Sequence, residues 1–165
     1  MKRRKFIKNT SLAGVAITFG TSVASCKQNI SETVEVIAAS ENPSIPLVMA
    51  TWHVKEATSR AWEILENGGN SLDAVEQGCM VEEANEKGQS VGKGGLPDRD
   101  GNVSLDACIM NKNGNCGAVV YLQNIKHAVS VARKVMEETQ HVMLAGDGAK
   151  QFAISKGFKH EILLT

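Results

Sequence analysis

The chain has 165 residues, of which 42% are hydrophobic and 22% charged, a composition typical of a globular protein with one folded domain. Its 18 basic residues balance its 18 acidic residues, so no net field attracts nucleic acid or an anionic membrane surface. Aromatic residues make up 4%, too few for the stacking surfaces that bind single-stranded nucleic acid. Nucleic-acid binding is therefore not expected.

Residues 1–26 are predicted to be an export signal. A basic head is followed by a weakly apolar stretch over residues 11–24, which falls short of the roughly 20 strongly apolar residues that a spanning helix needs. The segment Arg3–Lys8 (RRKFIK) resembles the twin-arginine export signal. We therefore expect the protein to be exported.

Two modes of signal cleavage fit the sequence. Val23–Cys26 resembles a bacterial lipoprotein box with Cys26 as the lipidated residue, whereas Ser22–Ala24 fits ordinary cleavage after small residues. Lipidation is favoured, so the expected location is the periplasm or a lipid anchor in the cell envelope. Residues 27–44 are polar without periodicity and are predicted to be a tether, which leaves residues 45–165 as the folded part.

The first folded segments predict a strand and two helices. Pro46–Thr51 is a short apolar run typical of a buried strand that ends at Trp52. A helix is predicted from Lys55 to the Gly68–Gly69 pair, because its apolar residues recur at i, i+4, i+7 and i+8. A second helix begins after Asn70 or Ser71 and fades near Gly88; its apolar face is formed by Leu72, Val75 and Cys79.

A glycine-rich loop, Ser90–Gly95, precedes the next predicted strand. It lacks the glycine spacing and the Lys-Ser/Thr ending of a phosphate-binding loop, so nucleotide binding is not expected. Residues 103–110 alternate between apolar and more polar side chains, the period of a strand with one wetter face. Asn113–Gly114 predicts a hairpin turn, and Gly117–Leu122 is the expected return strand.

The remaining pattern predicts a helix around residues 129–136, a strand over His141–Ala145, a turn at Gly146–Gly148 and a helix over Ala149–Ser155. Elements that do not alternate strictly between helix and strand favour an α+β layered fold. Three cysteines, Cys79, Cys108 and Cys116, have the spacing of neither a zinc site nor a redox dithiol and are expected to pack as small apolar residues. Cys108 and Cys116 could flank the hairpin and form a disulfide, but nothing in the sequence requires it. No metal or cofactor is expected.

Several of these segments together resemble the large-subunit half of glycosylasparaginase, a family of N-terminal-nucleophile hydrolases made as a precursor and cut in two. The resemblance rests on Thr51–Trp52, Ser71–Glu76, Gln89–Met110, Met136–Met143 and Ala145–Ala149, and it spans nearly all of Pro46–Thr165. It implies that the α+β fold is part of a four-layer αββα sandwich, incomplete without the threonine-bearing second half.

The resemblance also assigns roles to residues of this chain. It implies that Trp52 lines the substrate pocket, that Ser90 lies near the amino group of the nucleophile, and that the loop glycines, Gly92, Gly94 and Gly95, support the active site. His53 stands where the family usually has asparagine and Lys93 where it often has tyrosine, which leaves the preferred leaving group open. No catalytic residue is assigned within residues 1–165, and Asp106 is expected to bond local backbone or to support the catalytic layer.

The implied activity is that of an amidohydrolase. A threonine freed by autoproteolysis farther along the precursor would cut the amide between asparagine and N-acetylglucosamine, with its own amine as the base, so the chain alone is expected to be inactive. The expected partner is the remainder of the precursor, the β-subunit, in an αβ heterodimer that pairs into a larger oligomer. The alternatives are an isoaspartyl peptidase or L-asparaginase of the same superfamily, and a truncated, non-catalytic lipoprotein.

Overall fold

A computed structural model describes residues 46–165, and the predicted signal, the lipidation site Cys26 and the tether lie outside the described residues. The described part contains four helices and three strands. In chain order they are α1 (Lys55–Glu66), α2 (Ser71–Glu83), β1 (Ser104–Met110), β2 (Cys116–Gln123), α3 (Ala128–Glu138), β3 (Met143–Ala145) and α4 (Gly146–Ser155).

Helices α1 and α2 form a closely packed pair. The side chain of Asn70 caps α2, because its Oδ1 accepts the backbone N–H of Asp73 at 2.9 Å. Gly78 allows the close approach of the two helices, since a Cβ there would lie 2.9 Å from the carbonyl oxygen of Ala57 and 3.2 Å from the Cβ of Ala61. The small residues on the facing sides of α1 and α2 therefore set the distance between them.

The three strands form one mixed sheet in the order β1-β2-β3. Strands β1 and β2 are an antiparallel hairpin in which Met110 lies opposite Cys116, and β3 runs parallel to β2. The hairpin register shifts between Leu105 and Ala107, where Asp106 accepts the backbone N–H of Tyr121 at 2.7 Å. This β-bulge accounts for the carboxylate in the strand, because its oxygen satisfies a backbone donor that the ladder leaves free.

Helices α3 and α4 cover one face of the sheet. The core between them consists mainly of aliphatic side chains that are almost completely buried, among them Val119, Leu122, Val131, Val135, Ala149 and Ala153. Gly117 lets α3 lie directly on β2, because a Cβ at this position would be 2.6 Å from the backbone nitrogen of Met136. Alternate residues of β1 and β3 on the opposite face stay exposed.

The helix over Lys55–Glu66, the hairpin over β1 and β2, and helix α3 confirm the predicted elements. The α+β class is also confirmed at the level of a mixed fold of helices and a small sheet. Among residues 46–165, no helix has the length and apolar character needed to cross a membrane.

The predicted strand over Pro46–Thr51 is wrong for the described structure. These residues carry no regular secondary structure and are largely exposed, because no strand in the described part pairs with them. The predicted strand over 141–145 is shorter, Met143–Ala145, and the predicted turn Gly146–Gly148 is the first turn of α4. Helix α2 ends at Glu83 rather than near Gly88.

Candidate functional site

A cavity of about 850 Å³ is lined by the α1–α2 pair and by strand β1. Its walls are completed by residues 48–52, by Ser90–Gly92 and by the first residues of α3. Trp52 and Ser90 therefore line the same cavity, as the predicted site requires. Trp52 keeps 69% of its surface exposed, which leaves the indole free to contact a ligand.

The glycine-rich loop is held against α2 by close backbone contacts. Gly92 has a φ of 64°, and a Cβ there would overlap the backbone of Glu83. The next residue, Lys93, donates its backbone N–H to the carbonyl oxygen of Glu83 at 2.8 Å. Only glycine at position 92 permits this approach, and the contact places Ser90 at the cavity.

The two later glycines of the loop lie outside the cavity lining. Gly94, with a φ of 88°, donates its N–H to the carbonyl oxygen of the buried Leu163 at 2.8 Å. Gly95 donates its N–H to the carbonyl oxygen of Gly92 at 3.2 Å. Gly94 and Gly95 thus hold the shape of the loop, whereas Ser90 and Gly92 face the cavity.

Glu83 is a cavity residue that the sequence analysis does not single out. It is 6% exposed, and it is the one charged residue among residues 46–165 that is buried. One carboxylate oxygen, Oε1, accepts the backbone N–H of Val129 at 2.8 Å, and Oε2 lies 3.2 Å from Nδ1 of His127. The pair Glu82–Glu83 looks in sequence like a solvated helix end, so no local signal marks the buried member.

Two free thiols, those of Cys79 and Cys108, also line the cavity and are called the cavity thiols. Although the surface of Cys79 is exposed, the surrounding walls reduce the solvation of its thiol and raise the pKa of that thiol, and the nearby Glu83 and Cys108 add to the shift. The prediction that the cysteines pack in the core is wrong, because all three are exposed. Cys108 faces Ala118 rather than Cys116 across the hairpin, and both thiols are free, so no disulfide joins them.

The predicted face of α2 is also corrected. Val75 and Cys79 are exposed and line the cavity, whereas the buried positions of the helix are Ala74, Gly78 and Glu83. Leu72, the third residue of the predicted apolar face, is half-buried and packs against the core. The prediction is therefore confirmed for Leu72 and wrong for Val75 and Cys79, which form a wall of the site.

The two departures from the family pattern lie outside this cavity. His53 is exposed and does not line it, and Lys93 directs its ammonium group to Glu86. The pKa of Glu86 is lowered by its hydrogen bond to Lys93 and by the charge of the ammonium group. Within residues 46–165, no group of three or more histidine, cysteine, aspartate or glutamate residues is arranged to hold a metal ion.

Comparison with known proteins gives a consistent set of relatives. The profile of a protein family described as Asparaginase matches residues 30–163. The chain is 48% identical over 164 residues to the N(4)-(Beta-N-acetylglucosaminyl)-L-asparaginase of Elizabethkingia miricola, covering 99% of this chain and 46% of that protein. It is 50% identical over 125 residues to the protein of the same name in Rattus norvegicus, covering 75% of this chain and 36% of that protein.

A third relative is a putative N(4)-(beta-N-acetylglucosaminyl)-L-asparaginase of Drosophila melanogaster, 42% identical over 126 residues and covering 73% of this chain and 32% of that protein. The chain thus spans less than half the length of these relatives. The matches confirm the resemblance to glycosylasparaginase that the sequence motifs carry.

Proposed function

Because the chain belongs to the asparaginase family, we propose that it is the N-terminal portion of an N4-(β-N-acetylglucosaminyl)-L-asparaginase. In the proposed reaction, water is added across the amide between asparagine and the amino sugar, and aspartate and the amino sugar are released. The observation that carries the proposal is one cavity lined by both Trp52 and Ser90, in a chain similar over 99% of its length to a protein of that name.

The proposed role of this chain is to supply one wall of the site. Trp52 offers an exposed apolar ring to the sugar or the aspartyl group, and Ser90 offers a hydroxyl that both donates and accepts hydrogen bonds. The nucleophile is proposed to be a threonine in the part of the relatives that this chain does not match. Its terminal amine would act as base, since an α-amine with a pKa near 8 is partly neutral at pH 7.

The proposed partner is the polypeptide that carries this threonine, in an αβ heterodimer. The support lies in the sheet, which has helices on one face and exposed alternate residues on the other. A second sheet against that exposed face would give the four-layer αββα sandwich. The same partner would cover the cavity wall formed by α2 and β1.

The experiment measures the release of aspartate from an asparagine-linked N-acetylglucosamine by this chain assembled with the proposed threonine-bearing partner. The Trp52→Ala variant is compared with Trp62→Ala. Both tryptophans are exposed, by 69% and 41%, but only Trp52 lines the cavity. Loss of about 2 kcal/mol of aromatic contact would raise KM roughly 30-fold for Trp52→Ala. Trp62→Ala should leave KM unchanged. Equal KM values for the two variants would contradict the assignment of the cavity as the substrate site.

One alternative is an isoaspartyl peptidase or L-asparaginase of the same superfamily. Turnover of a β-aspartyl dipeptide or of free asparagine in preference to the glycosylated substrate would establish this alternative. Absence of turnover on all three substrates by the assembled protein would instead favour a non-catalytic lipoprotein.

A further inference from the structure

Glu83 connects three parts of the site through a single residue. Its carboxylate accepts the N–H of Val129 in the first turn of α3 and contacts His127, and its backbone carbonyl accepts the N–H of Lys93 in the glycine-rich loop. Helix α3 has no capping hydrogen bond from its own N-cap residue, His127. The carboxylate of Glu83 therefore caps α3 from another helix and lies at the positive end of its dipole.

Helix α2 is attached to α3 at two places. Near the start of α2, Asp73 and Glu76 both accept hydrogen bonds from Arg133 at 2.6 Å. At its end, Glu83 reaches the beginning of α3. Only the second attachment is adjacent to the glycine-rich loop, because the loop is bonded to the same residue through its backbone. The Glu83 carboxylate thus links the loop, through the end of α2, to the first turn of α3.

We propose that Glu83 is a positioning residue, which holds the Ser90–Gly95 loop in register with α3 and thereby keeps Ser90 at the cavity wall. The catalytic part of this inference rests on the proposed function. Removing the carboxylate would free the end of α2 from α3, and the loop would move with it. The contact between the Gly94 N–H and the carbonyl oxygen of Leu163, which joins the loop to the core, would then loosen.

The first experiment measures amide hydrogen exchange in the full-length protein and does not depend on activity. Glu83→Ala should speed exchange at Val129 and Gly94 by roughly tenfold or more, because a buried donor loses its acceptor and the loop loses its anchor. Glu82→Ala is the control for the cavity wall, since Glu82 also lines the cavity, whereas the bonds to Val129 and His127 are made by Glu83. Arg133→Met is the control for destabilisation, because it severs the other α2–α3 attachment, together with the bond from Arg133 to Glu137 within α3, and leaves Glu83 in place.

In both controls, the exchange rate of the Gly94 amide should equal the wild-type rate once the change in the free energy of global unfolding is taken into account. Equal loosening of Gly94 in Arg133→Met and Glu83→Ala would overturn the proposal, because the effect would then follow stability alone. Glu83→Gln covers the case in which Glu83→Ala does not fold. It keeps an oxygen for Val129 but loses the charge, so about threefold faster exchange is expected, and wild-type exchange in this variant would also overturn the proposal.

The second experiment is a double-mutant cycle between Glu83 and Ser90 on the kcat of the amidase reaction. If Glu83 acts through Ser90, the Glu83→Gln/Ser90→Ala double variant should have the kcat of Ser90→Ala within about twofold. If Glu83 has a merely structural role, the losses of kcat in the two single variants should multiply in the double variant, and that result would refute the positioning role. An inactive wild-type protein would count against the proposed function, and the exchange rates would then decide the role of Glu83 alone.

Discussion

Replacement of Gly92 by alanine tests the contact between the glycine-rich loop and helix α2. Gly92 and Gly101 both have positive φ angles, 64° and 84°. An alanine at either position therefore adopts a left-handed backbone conformation, at a cost of about 1–2 kcal/mol. The two positions differ in their surroundings, because a Cβ at Gly101 meets nothing within 4 Å, whereas at Gly92 its three nearest atoms are backbone atoms of Glu83 closer than 3.0 Å.

The clash at Gly92 cannot be relieved by rotating a side chain, since the atoms in the way belong to the backbone. The loop must move away from α2 and weaken the hydrogen bond between Lys93 N–H and Glu83, which adds about 1–3 kcal/mol to the strain. We expect Gly92→Ala to destabilise the protein by about 2–5 kcal/mol and Gly101→Ala by about 1–2 kcal/mol.

The assay is urea unfolding of both variants followed by tryptophan fluorescence, with the change in free energy taken from the midpoints at equal slope. The difference between the two variants cancels the backbone strain that they share and leaves the contact with α2. Equal destabilisation of the two variants within about 0.5 kcal/mol would refute the close approach of the loop to Glu83.

Two further predictions concern charge and exposure. Hydrogen bonds from Lys134 and Lys156 hold the pKa of Glu138 at about 2, below its ordinary 4.5, so its stabilising effect is present above pH 4.5 and is lost as the pH falls towards 2. Urea unfolding should therefore find Glu138→Gln less stable than wild type at pH 6 and indistinguishable from it near pH 2; a difference that persists at low pH would contradict the ion pairs. Labelling with a thiol reagent is followed for each cysteine-containing peptide, with and without the proposed partner. The partner should slow the labelling of the cavity thiols at least roughly tenfold, while Cys116, which lies outside the cavity, should keep its rate. Equal effects on all three thiols would place the partner elsewhere.

The elements that depend on local pattern could be predicted from the sequence. The apolar period and the glycine pair delimit α1, and the Asn113–Gly114 signal predicts the hairpin of β1 and β2 but not its register. The predicted strand over Pro46–Thr51 fails for a non-local reason, since strand character needs a hydrogen-bonded neighbour that the described residues do not supply. Apolar runs alone therefore predict the tendency of a segment and not its pairing.

The candidate site was predictable only where a motif marks it. Trp52 and Ser90 follow from the resemblance, and the structure brings both to one cavity. Glu83 could not be predicted, because its side-chain partners lie 44 and 46 residues away in the sequence. Neighbouring acidic residues at the end of a helix usually face water, and only the packing of α2 beside α3 turns one of them inward.

The distribution of exposed apolar residues bears on what fills the cavity. Met49, Trp52, Val75 and Val91 are all large, exposed and part of its lining. Scattered apolar residues on a surface need no explanation, but a contiguous apolar lining indicates a binding surface. At about 850 Å³ the cavity lies near the upper end of the range of about 300–1,000 Å³ for small-molecule sites, and strand β1 forms one of its walls.

A small substrate can contact Trp52 and Ser90, but it cannot complete hydrogen bonds along the outer edge of β1, which no strand within residues 46–165 covers. Unpaired strand groups and an apolar wall on the same side are best satisfied together by polypeptide, with the substrate occupying the remaining space. These groups favour a site shared between this chain and the proposed partner over a complete pocket within one chain. The thiol experiment tests such a shared site, because the partner would shield Cys79 on the helix wall and Cys108 on the strand wall at once.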